Sequence, residues 1–182
     1  MRQTHHIHIT PTSVCLNGCP VSTQQSGMAM LNALYRTHIG NYPKYFKMDP
    51  LCRLGLVATE LLLNSETPRL YASESRAIIF FNSACSLSCD RHYQQTIQHS
   101  DNYYPSPAVF VYTLPNIVTG EIAIRNRYRG ETNCYILPHY DEHIIQSTLQ
   151  ATFLDPHTES LIGGWLDLTD ENHFEARLAI YI

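Results

Sequence analysis

A run of five apolar residues, Ala77–Phe81, constrains the fold more than any other part of the sequence. A strand that is apolar on both sides is buried on both faces, and such strands occur in parallel sheets covered by helices. Asp49-Pro50 predicts a helix before this strand, with Asp as the N-cap and Pro in the first turn. That helix is expected to run to about Leu63 on the spacing of its apolar residues.

The rest of the chain continues the alternation of strands and helices. We predict strands over 5–16, 77–81, 132–137, 160–168 and 176–182, and helices near 28–35 and over 49–63, 86–97, 109–128 and 141–153. Pro115 should start, kink or divide the fourth helix. The short last connection predicts an antiparallel final pair. The β-α-β-α-β-α-β-β order predicts one α/β domain over 1–182, with a five-stranded, mostly parallel sheet and helices on its faces.

The composition excludes several functional classes. With 44% hydrophobic and 15% charged residues, the chain is typical of a globular protein. Its net charge of −4 argues against nucleic acid as a partner. The apolar runs are too short to span a membrane, so no membrane span is expected. The first residues do not resemble a signal peptide, which predicts a cytoplasmic location and free thiols at the six Cys.

Several short motifs follow one another between residues 45 and 168: Phe46-Lys47-Met48-Asp49, Ser106-Pro107, Leu114-Pro115-Asn116, Gly120, Ile122-Ala123, Gly130, and Gly163-Gly164 ending the fourth strand. In their order and spacing these motifs resemble the β-ketoacyl-ACP synthase family. This resemblance implies a thiolase-like fold, of which the chain would form the N-terminal half-domain, and a place in fatty-acid or polyketide-type biosynthesis.

The resemblance also locates the family's catalytic position. There a Cys thiolate stands at a strand-to-helix turn, and two His residues from the second half of the enzyme assist decarboxylation and condensation. Counted from Gly130, that position holds His139, after Pro138, while Cys134 lies five residues earlier within the strand. The resemblance therefore implies an accessory or partner subunit that is not competent alone.

Partners follow from the same resemblance. It implies an acyl carrier protein and a full-length synthase, and a homodimer or heterodimer with the strand Thr132–Leu137 at the two-fold axis and Cys134 near the contact. The helices also carry more apolar residues than one sheet face needs, which predicts an uncovered apolar patch. These residues are Leu51, Leu54, Leu61, Ile117, Ile124, Ile144 and Leu149.

An active acyl-transfer enzyme is the first alternative, with Cys85 as nucleophile or His139 as base. Cys85 follows the strand Ala77–Phe81 and precedes a helix, and a helix N-terminus lowers the pKa of a thiol. However, the helix that begins near Leu114-Pro115-Asn116 follows Cys85, whereas in the family it precedes the nucleophile. A buried, unreactive Cys85 is the simpler interpretation.

Metal binding is the second alternative. Residues 139–143 match H-x-x-E-H, so His139 and His143 on one helix could hold zinc, with Glu142 as base and Glu159 or Glu175 as a third ligand. A polar helix start explains the same residues. Two Cys-x3-Cys pairs could form a four-thiolate site, although unpaired thiols are simpler: Cys15, Cys19, Cys85 and Cys89.

Two further clusters have simple structural explanations. Arg125, Arg127 and Arg129 end a helix, where the helix dipole favours basic residues. Their functional alternative is a docking patch for an acidic carrier protein or a pantetheine phosphate. Several Tyr residues could line a pocket or lie half-buried in loops: Tyr42, Tyr45, Tyr103 and Tyr104.

Overall fold

The computed structural model describes residues 1–69, 74–101 and 104–182. These residues form seven strands: β1 (Gln3–Thr10), β2 (Ser13–Leu16), β3 (Cys19–Pro20), β4 (Arg76–Asn82), β5 (Thr132–Ile136), β6 (Ser160–Asp170) and β7 (His173–Tyr181). The helices are α1 (Gly27–His38), α2 (Pro50–Ser65), α3 (Leu87–Ile97), α4 (Pro107–Phe110), α5 (Ile117–Asn126) and α6 (Glu142–Thr152). Two 3-10 helices, Pro43–Lys47 and Val111–Thr113, precede α2 and follow α4.

All seven strands belong to one sheet, in the order β3-β2-β1-β7-β6-β4-β5. Only the β4–β5 and β4–β6 pairings are parallel, and the other four pairings are antiparallel. The prediction of a five-stranded, mostly parallel sheet was therefore wrong. The error arose because the segment 5–16 is not a single strand. The chain turns back at Pro11, and it turns again at Asn17 and Gly18, which both have positive φ. The antiparallel β6–β7 pair and the shared sheet of 77–81 and 132–137 are confirmed.

The helix boundaries follow the sequence signals closely. The Asp49 carboxylate caps α2 by accepting from the backbone N–H groups of Leu51 and Cys52. Pro115 divides the predicted helix 109–128 into a short first piece and α5. The pieces Pro107–Thr113 and Ile117–Asn126 meet at a bend of 102° and together have the length and composition of a membrane span. No single helix in the described part of the chain has both.

The two faces of the sheet are covered unequally. The larger core lies on the face where α2 packs, and in α2 every residue from 51 to 63 except Arg53 is buried. The other face carries α6, whose Ile145 and Leu149 belong to a smaller core with Phe81 and Trp165. Burial on all sides explains why α2 is apolar all round, while α6 is amphipathic.

Two of the glycines in the family-like motifs are required by close backbone approach. A Cβ at Gly130 would lie 2.4 Å from the Arg76 carbonyl oxygen, where the chain enters β5 beside β4. A Cβ at Gly164 would lie 2.1 Å from the Arg177 carbonyl oxygen, and its φ is +139°. Gly163-Gly164 was predicted to end a strand but lies inside β6, where Gly164 serves the approach of β7 and Gly163 leaves room for the Leu149 side chain of α6.

Candidate functional site

The two residues predicted to be catalytic follow the carboxyl ends of two neighbouring strands. β4 ends at Asn82 and β5 ends at Ile136, and the Leu137 N–H donates to the Asn82 carbonyl at 2.8 Å. Because the two strands are parallel, the segments that follow them, with Cys85 and His139, leave the sheet side by side. This carboxyl edge is where ligands bind in open α/β sheets.

Cys85 occupies a strained backbone position between β4 and α3. Its φ is +54°, a left-handed conformation that residues with a Cβ rarely adopt. The next residue, Ser86, is the N-cap of α3. Cys85 is half-buried, and its Sγ lies 3.8 Å from the Ser86 hydroxyl. The thiol therefore stands at a sharp strand-to-helix turn, as the sequence predicted.

Asp167 of β6 holds this turn. Its carboxylate accepts hydrogen bonds from the backbone N–H of Ser83 at 3.1 Å and of Ala84 at 2.9 Å, and from the Ser83 hydroxyl at 2.6 Å. On the other side, the Ser86 hydroxyl donates to the Thr113 carbonyl at 2.8 Å. A strained conformation persists where its surroundings fix it in this way.

Two further polar groups lie beside the turn. The Asn82 side chain is 2% exposed, and its Nδ2 lies 3.5 Å from the Cys85 carbonyl oxygen. Its Oδ1 has no hydrogen-bond partner among the described residues. Burial is the main cause that raises the pKa of the Cys134 thiol to about 11, and the nearby Cys85 adds to it, so Cys134 stays protonated.

Only a partial signal for this arrangement is present in the sequence. Asp167 is the one carboxylate within the otherwise apolar stretch 160–168, which marks it as a group that needs a partner. Asn82 ends an apolar strand in the same way. Sequence reasoning singled out Cys85 but missed both residues, and the partners of Asp167 lie more than 80 positions away along the chain.

His139 lies in a very different turn. It is exposed, between β5 and α6, and makes no hydrogen bond or ion pair with any described residue. The following helix is capped by Asp141, whose carboxylate accepts from the Ile144 N–H at 3.0 Å. No described residue orients the imidazole by a hydrogen bond, so within this part of the chain His139 lacks the support that a catalytic base needs.

Neither of the two alternative metal sites forms among the described residues. α6 begins at Glu142, so His139 precedes the helix that carries His143, and the two do not share a helical face. Glu142 is engaged by the Tyr140 hydroxyl and by Gln146 at 2.9 Å. In residues 1–69, 74–101 and 104–182, no three His, Cys, Asp or Glu side chains are placed to hold a metal ion. The two Cys pairs are separated by β1, β7 and β6 in the sheet.

The arginine cluster is dispersed in the structure. Arg125 points inward, with its Nε 3.0 Å from the buried Glu60 carboxylate. Arg127 ends α5 in a left-handed conformation with φ +58°. Arg129 is exposed and lies 3.2 Å from Glu74. The predicted common docking patch therefore does not form.

The tyrosines do not share a pocket either. Tyr45 is fully buried and stacks on Tyr35 with ring centroids 4.0 Å apart. Tyr42 lies near Glu121, with 3.4 Å between its hydroxyl and the carboxylate. Tyr104 is 75% exposed, and Tyr103 lies outside the described residues.

Two exposed apolar side chains lie at the β5 edge, and we call them the β5 surface: Tyr135 and Ile136 at the end of β5. Four more exposed apolar side chains lie on α3, which packs against β6, and on the segment after it: Leu87, Phe110, Val111 and Leu114. The Ser86–Thr113 hydrogen bond joins these helical segments. The apolar patch predicted from the helices was mostly wrong, because its leucines are buried and only Ile124 and Ile144 are exposed.

Comparison with known proteins finds the fold among solved structures. No family model matches the sequence, and no curated protein matches it. "The ishigamide ketosynthase/chain length factor" is similar with a TM-score of 0.72 and 14% identity, over 98% of this chain and 60% of that one. A ketosynthase (ApeO) in complex with its chain length factor (ApeC) from Xenorhabdus doucetiae is similar with a TM-score of 0.63 and 13% identity, over 98% and 77%. At these identities the likeness shows the thiolase-like fold.

Proposed function

We propose that this chain is a partner subunit of a ketosynthase, in the manner of a chain length factor, and does not catalyse condensation by itself. The observation that carries the proposal is the open β5 edge with its β5 surface, in a fold similar to that of a ketosynthase solved with its chain length factor. Membership of the β-ketoacyl synthase family, as an N-terminal half-domain, belongs to this proposal. So do a cytoplasmic location and an acyl carrier protein of the same pathway.

The β5 edge has the properties of an interface. Among the described residues β5 pairs only with β4, so its outer side can accept another strand, although the Cys134 N–H already donates to the Asn133 side chain at 2.9 Å. Its sequence, Thr132–Ile136, contains no proline, lysine or other charge that would protect it. Unprotected edges of this kind promote pairing with a second chain. Aromatic and aliphatic side chains beside the edge would supply the apolar centre of such a contact.

The β5–α6 turn supports the second part of the proposal. Condensation by this family would need a thiolate at that turn, close to the N-terminus of α6. The turn carries an exposed His139 instead, and the nearest thiol along β5, Cys134, is held protonated. This chain covers only 60% of the ishigamide ketosynthase/chain length factor structure. Any role in polyketide synthesis for this chain is therefore part of the proposal.

Co-expression with a ketosynthase tests this function. By light scattering, we expect a stable heterodimer with the ketosynthase and at most a homodimer when the chain is alone. The pure chain should not condense malonyl and acyl carrier substrates. Ile136→Lys should weaken the complex at least tenfold, because it places a charge in the apolar contact. Leu154→Lys is the matched control, since Leu154 is 84% exposed and lies outside the β5 surface. A monomer with every ketosynthase tried, or condensation by the pure chain, would refute the proposal.

Acyl transfer through Cys85 is a second candidate, favoured by the left-handed φ of +54° at its turn. The Cys85 thiolate would attack the carbonyl carbon of an acyl thioester, form a new C–S bond and release the carrier thiol, which takes up the proton. Intact-protein mass spectrometry with an N-acetylcysteamine thioester tests this step. One acyl adduct, lost in Cys85→Ala but kept in Cys19→Ala, would support it. Equal labelling of the exposed Cys19 would show ordinary thiol exchange instead.

A further inference from the structure

The sheet face that carries α6 is only partly covered. α6 packs on β6 and β4, while Ile7 and Ile9 of β1 are buried in the larger core on the opposite face. Because side chains alternate along a strand, His8 points to the partly covered face, and its side chain is 43% exposed. A cavity of about 350 Å3 on this face is lined by His8, Arg177 and Trp165. A small molecule can therefore reach His8 from solvent.

The strand register places Cys15 beside His8. The two residues are direct partners in the antiparallel β1–β2 pair, so their side chains point to the same face. Direct partners have Cβ atoms about 4.5–5.5 Å apart, and over that distance a thiol can reach an imidazole nitrogen. Cys15 is half-buried and free. The structure shows no hydrogen bond between the two side chains, as is common before a substrate is bound.

Glu175 orients the imidazole of His8. The Nε2 of His8 lies 2.7 Å from Oε1 of Glu175, and the same oxygen lies 2.7 Å from the Nε of Arg177. Arg177 thus fixes the carboxylate, and the carboxylate fixes the ring. The other ring nitrogen, Nδ1, makes no hydrogen bond to a described residue. A carboxylate in this position stabilises the imidazolium that forms when the ring takes up a proton. Cys15, His8 and Glu175 therefore form a series of nucleophile, base and orienting carboxylate.

The strand pairing at Cys15 favours one class of reaction. Acyl transfer needs hydrogen-bond donors aimed at an oxyanion, often backbone N–H groups. Cys15 is paired with β1 on one side and with β3 on the other, so its backbone is committed to the sheet. Exchange with a disulfide develops charge on sulfur alone and needs no such donors. Among the described residues, these three side chains are also not placed to share a metal ion.

We propose that Cys15 is a thiol–disulfide exchange site for small disulfides, with His8 as its base. His8 takes the thiol proton, and the Cys15 sulfur attacks one sulfur of the disulfide. A new S–S bond forms to Cys15, the original S–S bond breaks, and the leaving thiolate takes up the proton from His8. Cys15 is thereby oxidised to a mixed disulfide, and the other half of the small disulfide is reduced to a thiol. The site is independent of the β5 surface, which lies at the opposite end of the sheet.

Mass spectrometry of the full chain with 2-hydroxyethyl disulfide at neutral pH tests the inference. Cys19, which is exposed on β3, is the internal reference in the same molecule. We expect Cys15 to form its mixed disulfide at least about tenfold faster than the more exposed Cys19, because His8 removes its proton. His8→Gln should lower the Cys15 rate by about tenfold and Glu175→Gln by about threefold, and neither should change the Cys19 rate. His6→Ala, on the same strand and face, is the matched control and should leave both rates within about twofold.

Three results would overturn the inference. They are Cys15 exchange no faster than that of Cys19, a Cys15 rate unchanged in both His8→Gln and Glu175→Gln, and an equal loss of rate in His6→Ala. Unfolding of a variant has the opposite sign, because it exposes the thiol and raises its rate, whereas the inference requires the Cys15 rate to fall. Failure of ketosynthase pairing would leave these rates unaffected.

Discussion

The turns after β4 and β5 differ sharply, although they leave the same edge of the sheet. The β4–α3 turn places a half-buried Cys85 in a left-handed conformation and is tied to Asp167 and Thr113. The β5–α6 turn leaves His139 exposed, although Asp141 caps the next helix and Tyr140 packs on Trp165 and Arg177. More side-chain hydrogen bonds of the described residues therefore hold the β4–α3 turn, which the sequence resemblance did not assign to catalysis.

The better-held turn is thus not the one that the sequence resemblance assigned to catalysis. In a working active site the reacting group is held by its neighbours. Here the His139 side chain has no hydrogen-bond partner among the described residues, whereas the Cys85 turn is held by several. Substitutions in each turn test how strongly its neighbours hold it.

Asp167→Ala should have the largest effect. It leaves the Ser83 and Ala84 N–H groups without their acceptor and lowers the free energy of unfolding by about 3 kcal/mol. Urea unfolding measures the change. Asp155→Ala, which removes an exposed carboxylate in a surface turn, is the control and should lower the free energy of unfolding much less. Equal losses would mean that the β4–α3 turn is not specially held.

Asp141→Ala should have the next largest effect. It removes the side-chain cap of α6 and lowers the free energy of unfolding by about 1 kcal/mol. Asp141→Ser keeps a capping oxygen and should recover most of that loss, again by urea unfolding. If Asp141→Ala cost as much as Asp167→Ala, the two turns would be equally ordered and the contrast would fail.

Substitution of Cys85 should report the backbone strain directly. Cys85→Gly should be more stable than Cys85→Ala by about 1 kcal/mol, because only glycine adopts the left-handed conformation without a Cβ clash. Comparing the two variants with each other cancels the loss of the thiol. An Ala variant as stable as the Gly variant would show that φ at this position relaxes in solution.

His139→Ala should have the smallest effect. His139 is exposed and has no described partner, so the free energy of unfolding should change by less than about 0.5 kcal/mol. The affinity for a ketosynthase partner should also stay within about twofold of the wild-type value. A large loss in either measurement would give His139 a structural role that its exposed position does not suggest.

Local patterns in the sequence predicted the elements but not their arrangement. The Asp49 cap, the division at Pro115 and the buried strand β4 depend on neighbouring residues, so their sequence signals sufficed. The N-terminal hairpins were missed because the alternating pattern of 5–16 continues through the turn at Pro11. The ties between Asp167 and the Cys85 turn join residues more than 80 positions apart, and a single sequence carries no signal for such pairs.

The two ends of the sheet set a limit on how many chains can join. At one end β3 has only two residues, and its Pro20 has no N–H to offer a neighbouring strand. At the other end β5 presents five residues without proline. Among the described strands, each molecule thus has one sheet edge that can pair with a strand of another chain. Two chains that pair through β5 therefore leave no such edge open. Growth stops at a closed pair instead of continuing into a filament.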